Sequence, residues 1–452
     1  MSEKKQDSTE APTGPASALK EAESRVHYAL RQLSQGSWVI TVLSIVVALA
    51  VGAVLILVTN PQVQATMGYF FARPGDFFVT SFEVIRDAYS ALFRGAVYDW
   101  QAATPQRAIR PITETLVNAV PLILAGLGIA IGFRSGMLNI GGQGQMILGA
   151  TFGAFIGYAF SLPLGAHLLL ALLGGVLGGA IWGGIAGVLK ARTGANEVIV
   201  TIMLNNIALY LLAWLLRQQW FVQTGSNQPI TAPVDESAQL FGLLGSGFRL
   251  HAGIFIAIAA TVFVWWLLER STLGFEFRAI GENPEAARTA GINVPKATAL
   301  VLIIGGALCG LGGAAHLLGT EYRLAAGIAG TLGFDAITVA LLGRSRPLGT
   351  FLAGLLFGGL RAGGVLMQTQ TGTPVDIVLV LQSVIVLLIA APPLVRAIFF
   401  LPNPDGTPRR RRRRRNSKRP RGTAGSGSER RGEQGSPAAG TTSGVTNTEG
   451  AP

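Results

Sequence analysis

The sequence predicts an all-α fold: a polytopic transmembrane helix bundle of about ten spans with a candidate internal repeat. Three observations predict it. Half of the 452 residues are hydrophobic and only 13% are charged, a balance outside the range of soluble multidomain chains. Apolar runs of about 17–25 residues, the length a helix needs to cross roughly 30 Å of hydrocarbon, recur along most of the chain. Glycines recur at every fourth position in several of those runs, as expected where helices approach backbone to backbone in lipid.

Taken in order, residues 1–36 are a polar amino-terminal segment, 37–400 a transmembrane domain and 401–452 a basic tail. The first apolar run, Trp38 to Thr59, is too long for the core of a signal peptide and reads as a retained span. Further spans are expected at about 112–133, 144–161, 166–189, 197–216, 251–269, 297–319, 328–343, 348–366 and 375–395. In the run at 166–189, Gly175, Gly179, Gly183 and Gly187 form one smooth stripe, and similar pairs stand at Gly128/Gly132, Gly306/Gly310 and Gly354/Gly358; these predict tight packing. Two connections, 60–111 and 217–250, are long and mix aromatic with polar residues. They read as a docking or lid surface, or as ordered loops over helix ends. Two strings, Gly132 to Ala150 (GFRSGMLNIGGQGQMILGA) and Gly333 to Gly354 (GFDAITVALLGRSRPLGTFLAG), each begin Gly-Phe and carry a glycine-rich break. Broken segments at comparable places in two halves suggest an internal repeat with a transport path between them.

Basic residues orient the bundle. Arg134, Lys190, Arg192, Arg270, Arg278, Arg288, Lys296, Arg344 and Arg346 fall in alternate connections, whereas the turns at 162–165 and 367–374 hold none. That asymmetry places both termini in the cytoplasm; the five arginines of the 60–111 connection run against it, diluted by four acids. Most of the formal +12 lies in the tail, which holds seven consecutive arginines, Arg409 to Arg415, among Gly, Ser, Thr and Pro. The tail is expected to be disordered. Without interleaved aromatics, nucleic-acid stacking has no support, leaving attraction to anionic lipid or plain solvation.

With this orientation the connection 270–296 is cytoplasmic, and a polar dozen, GENPEAARTAGI from Gly281 to Ile292, lies in its middle. Asn283 suits an N-cap, Pro284 the first helical position, Glu285 the positive end of the helix dipole, and Gly291 the stop. A short helix of small residues, unable to bury itself in its own protein, needs a partner groove. Glu285-Ala286-Ala287-Arg288-Thr289-Ala290-Gly291 resembles the "EAA…G" coupling motif of ABC importer permeases. The strings at Gly132–Ala150, Ala195–Leu212 and Gly333–Gly364 resemble, in order, segments of the permease family for simple sugars, nucleosides and branched-chain amino acids, in its nucleoside-type branch. The resemblance covers about residues 110–395. It implies a subunit of a bacterial ABC importer in the cytoplasmic membrane, coupled through Asn283, Glu285, Ala286, Ala287, Arg288 and Gly291 to a cytoplasmic ATPase. It also implies a second homologous permease and an extracytoplasmic substrate-binding lipoprotein.

No G-x-x-x-x-G-K-[ST] occurs around any of the six lysines, so ATP is expected to be bound elsewhere. No catalytic constellation is evident either. The single Cys309 and four scattered histidines suggest neither a disulfide nor a metal site, and no cofactor is expected. A neutral nucleoside needs hydrogen-bonding partners rather than a counter-charge, so Asn139, Gln143, Gln145, Asn205, Asn206 and Gln382 are candidate path residues. Interhelical hydrogen bonding would explain them equally. Asp335, a carboxylate inside a span, joins them as a functional candidate, with an ion pair or a helix-start role as its alternative. The expected function is nucleoside import. A simple sugar or other small polar solute is the alternative within the class. An ion-coupled secondary transporter would explain Asp335 but not the "EAA…G" helix, and a membrane anchor for the basic tail would explain neither.

Overall fold

The computed structural model describes residues 37–399 except 224, 226, 227 and 246, so the segment 1–36 and the tail 401–452 lie outside the described residues. Every run expected to span is helical. The first half comprises α1 (Ser37–Thr59), α2 (Pro61–Met67), α3 (Pro74–Ala96), α4 (Pro105–Arg134), α5 (Gly142–Ala159), α6 (Ala166–Thr193) and α7 (Glu197–Leu215). The second comprises α8 (Gly253–Arg270), α9 (Thr272–Glu282), α10 (Pro284–Thr289), α11 (Val294–His316) with a π turn at Leu317–Glu321, α12 (Leu332–Leu342), α13 (Pro347–Thr371), α14 (Asp376–Ala390) and α15 (Pro392–Ile398). Seven of them, α1, α4, α6, α7, α8, α11 and α13, are long and apolar enough to cross a membrane. The other three expected spans are α5, whose first turn carries Gln143 and Gln145, and the shorter α12 and α14.

The axis of the bundle is α4, buried without interruption from Ala119 to Gly132. Helices α8, α11, α12 and α13 pack on it. The predicted glycine stripe of α6 meets α11 largely through backbone: a Cβ on Gly179 would stand 2.1 Å from the Gly306 carbonyl oxygen, one on Gly183 2.2 Å from that of Leu302, and one on Gly310 2.3 Å from that of Gly175. Neither helix can carry even a methyl group there. Without a hydrophobic force between helices in lipid, such close approach supplies the packing energy.

The packing repeats. α4 packs on α13 as α11 packs on α6; α4 meets α12 as α11 meets α5; and α5 meets α7 as α12 meets α14. α4 and α11 run antiparallel, Gly128 meeting Gly305 and Pro121 meeting Gly312, so α4–α7 and α11–α14 are inverted units. In this correspondence α5 matches α12. The Gly-Phe strings begin at the end of α4 and the start of α12, one helix out of register, so the repeat lies in the packing rather than in that string.

The two long connections differ. Residues 60–111 fold into α2 and α3, and α3 lays Ser81, Ala88, Ala91, Leu92 and Gly95 against the bundle, Gly95 close on the Cα of Gly363 in α13. The Tyr89 hydroxyl donates to the Leu49 carbonyl of α1. This connection is a packed amphipathic helix, not a loop. The described residues of 217–250 form only a short 3-10 turn, Glu236–Ala238, and hydrogen-bond along the chain after α11, Val234 N–H to the Tyr322 carbonyl at 2.8 Å and Leu240 N–H to that of Leu318 at 2.9 Å, as a cover over helix ends would.

Overpacking costs about 1–3 kcal/mol even where neighbours can yield, and at Gly179 the neighbour is backbone. Gly179→Val is therefore expected to abolish accumulation of the folded protein in the membrane, while Gly184→Val, where the nearest atoms are the Ile303 side chain at 3.3 Å, is tolerated. Immunodetection of detergent-extracted monodisperse protein checks both.

Candidate functional site

Two places carry unusual chemistry, at opposite ends of α4. At the Arg134 end lies α10. The Asn283 side-chain oxygen Oδ1 accepts from the Glu285 and Ala286 N–H groups at 3.0 and 3.1 Å, capping the helix as its sequence predicts. Gly291 ends it at φ +86°, with open space around its Cα. Glu285 and Arg288 are exposed and pair with each other at 3.1 Å. Ala286 is exposed too, but Ala287 is 3% exposed and faces the bundle. The expectation that the helix buries nothing of its own fails at that residue, because a one-and-a-half-turn helix docked beside α9 and α11 must turn one side inward.

Before it, α9 presses on the break between α4 and α5. A Cβ on Gly281 would lie 2.7 Å from the Arg134 carbonyl oxygen, and Gly136 opposite turns at φ +68°. The Arg134 side chain ties this corner together, Nη2 to Glu269 Oε1 at 2.7 Å and Nε to the Ser345 carbonyl at 3.2 Å. Arg344 and Ser345 both stand in the left-handed region, at φ 54° and 53°, a conformation that non-glycine residues adopt only when held.

The candidate path amides do not converge. Asn139 and Gln145 are buried and bond to each other at 3.1 Å, and Asn139 Oδ1 also accepts from the Gly141 N–H at 2.9 Å. Asn205 accepts from the Gly144 N–H at 2.8 Å and donates to the Ile140 carbonyl at 2.9 Å. Gln143 donates to the Gly330 carbonyl at 2.6 Å and accepts from the Gly333 N–H at 2.9 Å, joining the first turn of α5 to that of α12. These four side chains satisfy backbone and side-chain groups at the broken helix starts, where no intrahelical partner exists. Asn206 is exposed on α7 and donates to the Ile202 carbonyl of its own helix at 3.2 Å.

At the Arg107 end, α3, α4, α13 and α14 enclose a cavity of about 770 Å³. Gln382, from the middle of α14, lines it and is 4% exposed. Asp335 lies at its floor through partners: Arg361 Nη2 is 3.2 Å from Asp335 Oδ2 and 2.8 Å from the Thr331 hydroxyl, which itself donates to Asp335 at 2.9 Å. The wall formed by α4 adds Glu114, with Arg249 Nη1 at 3.4 Å and Arg110 Nε at 3.7 Å. Valines 365, 375 and 378 and Leu379 make the opposite side apolar. Sequence reasoning missed Glu114, Arg249 and Arg361. The first and last sit within apolar runs, the signal that singled out Asp335. Among the described residues no three His, Cys, Asp or Glu are grouped to hold a metal ion.

Comparison with known proteins places this geometry among transporters. Residues 112–390 match the family described as branched-chain amino acid transport system / permease component. The guanosine ABC transporter permease protein of Bacillus subtilis is 36% identical over 78% of this chain and 92% of its own length. A glucose ABC transporter permease protein of Haloferax volcanii is 37% identical over 62% of this chain and 75% of its own. A nucleoside ABC transporter permease protein of Lactococcus lactis is 33% identical over 62% and 79% respectively.

The amide geometry separates two neighbours in α7. Asn205→Leu leaves the Gly144 N–H and the Ile140 carbonyl without partners, each at a cost of about 1–3 kcal/mol, and is expected to reduce the amount of folded protein in the membrane. Asn206→Leu is expected to change stability by less than about 0.5 kcal/mol. Thermal unfolding of the two purified variants checks this; equal midpoints would refute the role given to Asn205.

Proposed function

The chain belongs to the branched-chain amino acid transport system permease family, and from that premise we propose that it is the subunit through which an ABC importer passes nucleosides, driven by a separate cytoplasmic ATPase. The observation that carries the coupling half of this reading is α10, a capped helix that presents Glu285, Ala286 and Arg288 outward while Ala287 anchors it. Asn283 fixes its start and Gly291 its end, so the exposed residues meet a groove in the ATPase as a rigid unit. Gly281 against the Arg134 carbonyl, and Arg134 on Ser345, then carry motion of α10 into the break of α4–α5 and the lower end of α12.

Nucleosides are favoured because the guanosine permease aligns over 92% of its own length. The cavity also suits such a solute: one apolar wall takes the faces of a base and one polar wall takes its edges and hydroxyls. Glucose is the second reading, supported by the relative from Haloferax volcanii. The assembly includes a second homologous permease and an extracytoplasmic substrate-binding lipoprotein. It sits in the cytoplasmic membrane with both chain termini inside. The chain needs no cofactor, and ATP hydrolysis belongs to the partner.

In sealed inside-in vesicles carrying the complete importer, labelled guanosine is expected to enter only when ATP is supplied inside, and to enter equally after the proton and sodium gradients are collapsed. Glucose uptake under the same conditions would assign the sugar reading, and gradient-driven uptake without ATP would overturn both. Gly291→Val places a β-branched residue at φ +86°, costing about 1–2 kcal/mol. The end of α10 is expected to reshape, so that uptake falls several-fold while the protein stays folded and ATP hydrolysis continues. Uptake and phosphate release measured on the same vesicles check it.

A further inference from the structure

The cavity holds two polar atoms that the protein leaves without hydrogen bonds. Glu114 Oε1 and Gln382 Nε2 are both buried and make no hydrogen bond, Oε1 having only the Arg110 guanidinium as an ion-pair partner at 3.7 Å, and both residues line this one cavity, from α4 and from α14. Other polar groups of the lining are engaged. Arg361 is held by Asp335 and Thr331, Asn118 donates to the Glu114 carbonyl at 2.8 Å, and the second carboxylate oxygen of Glu114 faces Arg249 at 3.4 Å. Arg110 Nε at 3.7 Å is beyond hydrogen-bond reach of Oε1.

A buried polar atom without a partner is costly, and a native fold that keeps one has a reason in function or in an external ligand. Here the two atoms are complementary: the carboxylate oxygen can only accept, and the amide N–H can only donate. A neutral solute with a donor and an acceptor of its own cancels both vacancies at once.

We propose that Glu114 and Gln382 are the solute-reading pair of the path: Glu114 Oε1 accepts from an N–H or O–H of a nucleoside, and Gln382 Nε2 donates to a carbonyl or ring nitrogen of the same molecule. The apolar wall of Val378 and Leu379 receives the flat face of the base. This rests on the nucleoside-import reading and names its contacts. Two hydrogen bonds hold a solute weakly enough to release it onward, as a conducting site must.

Three measurements test the pair in the assembled importer with its ATPase and binding protein. First, the shape-conserving variants Glu114→Gln and Gln382→Met are each expected to lower the maximal rate of guanosine uptake by about tenfold, with the amount of assembled complex in the membrane measured beside it. Uptake at the parent rate in both variants would overturn the proposal. Second, Leu379→Cys provides a reporter in the cavity wall, the chain's own Cys309 being fully buried. Saturating guanosine is expected to slow its alkylation by an impermeant maleimide several-fold, whatever the fate of the pair variants; labelling at the same rate with and without guanosine would overturn the proposal. Third, this protection is expected to disappear when Leu379→Cys is combined with Glu114→Gln. Protection that persists undiminished would place the solute elsewhere in the cavity. Parent vesicles that import glucose but not guanosine would refute the nucleoside reading alone, and the same protection assay with glucose would then decide the pair.

Discussion

In hydrocarbon every backbone N–H and C=O must find a partner within the protein, and nearly every feature of this molecule follows from that requirement. Unbroken helices meet it by themselves. Where a helix is interrupted, side chains must meet it instead. The breaks before α5 and α12 are closed by Asn139, Gln143, Gln145 and Asn205, each within hydrogen-bond distance of an otherwise unpaired group. Glycine allows those breaks to sit deep in the bundle, since α6 and α11 approach until one helix's carbonyl oxygens touch the other's Cα atoms.

The same constraint divides the polar residues into two populations. Those at helix starts are saturated and hold the scaffold rigid. Those lining the cavity at the Arg107 end are arranged as ion pairs and unfilled acceptors and donors. A membrane permease needs both, because a path must offer hydrogen bonds to a solute while its walls keep none open to lipid.

Helix α12 connects the two ends. Its first turn carries Asp335, paired with the cavity-lining Arg361, and the left-handed Arg344–Ser345 turn that follows it is held by Arg134. Arg134 in turn contacts Glu269 and, through its carbonyl, Gly281 of the segment leading into α10. A short helix with an anchored end on each side thus links the exposed α10 to the cavity.

The sequence by itself determined the helices and their chemistry class. Apolar run length gave the spans, the four-residue glycine stripe gave close packing along one face of α6 without naming α11 as its partner, and Asn283-Pro284-Glu285 with Gly291 gave α10 nearly to the residue. These signals are local: capping, propensity and hydropathy act within a turn or two. It missed α3, whose small buried residues are spaced for a helix but interleaved with phenylalanines and charges, and it misjudged Ala287. Tertiary structure alone decided which polar residues line the cavity and which close helix breaks. An asparagine in a span reads the same whether it closes a helix break, as Asn205 does, or faces outward, as Asn206 does. The difference is set by partners distant in sequence, such as Glu114 and Arg249, or Asp335 and Arg361. A hydrogen bond is specific to position, and positions of residues far apart in the chain are fixed only when the whole bundle has packed.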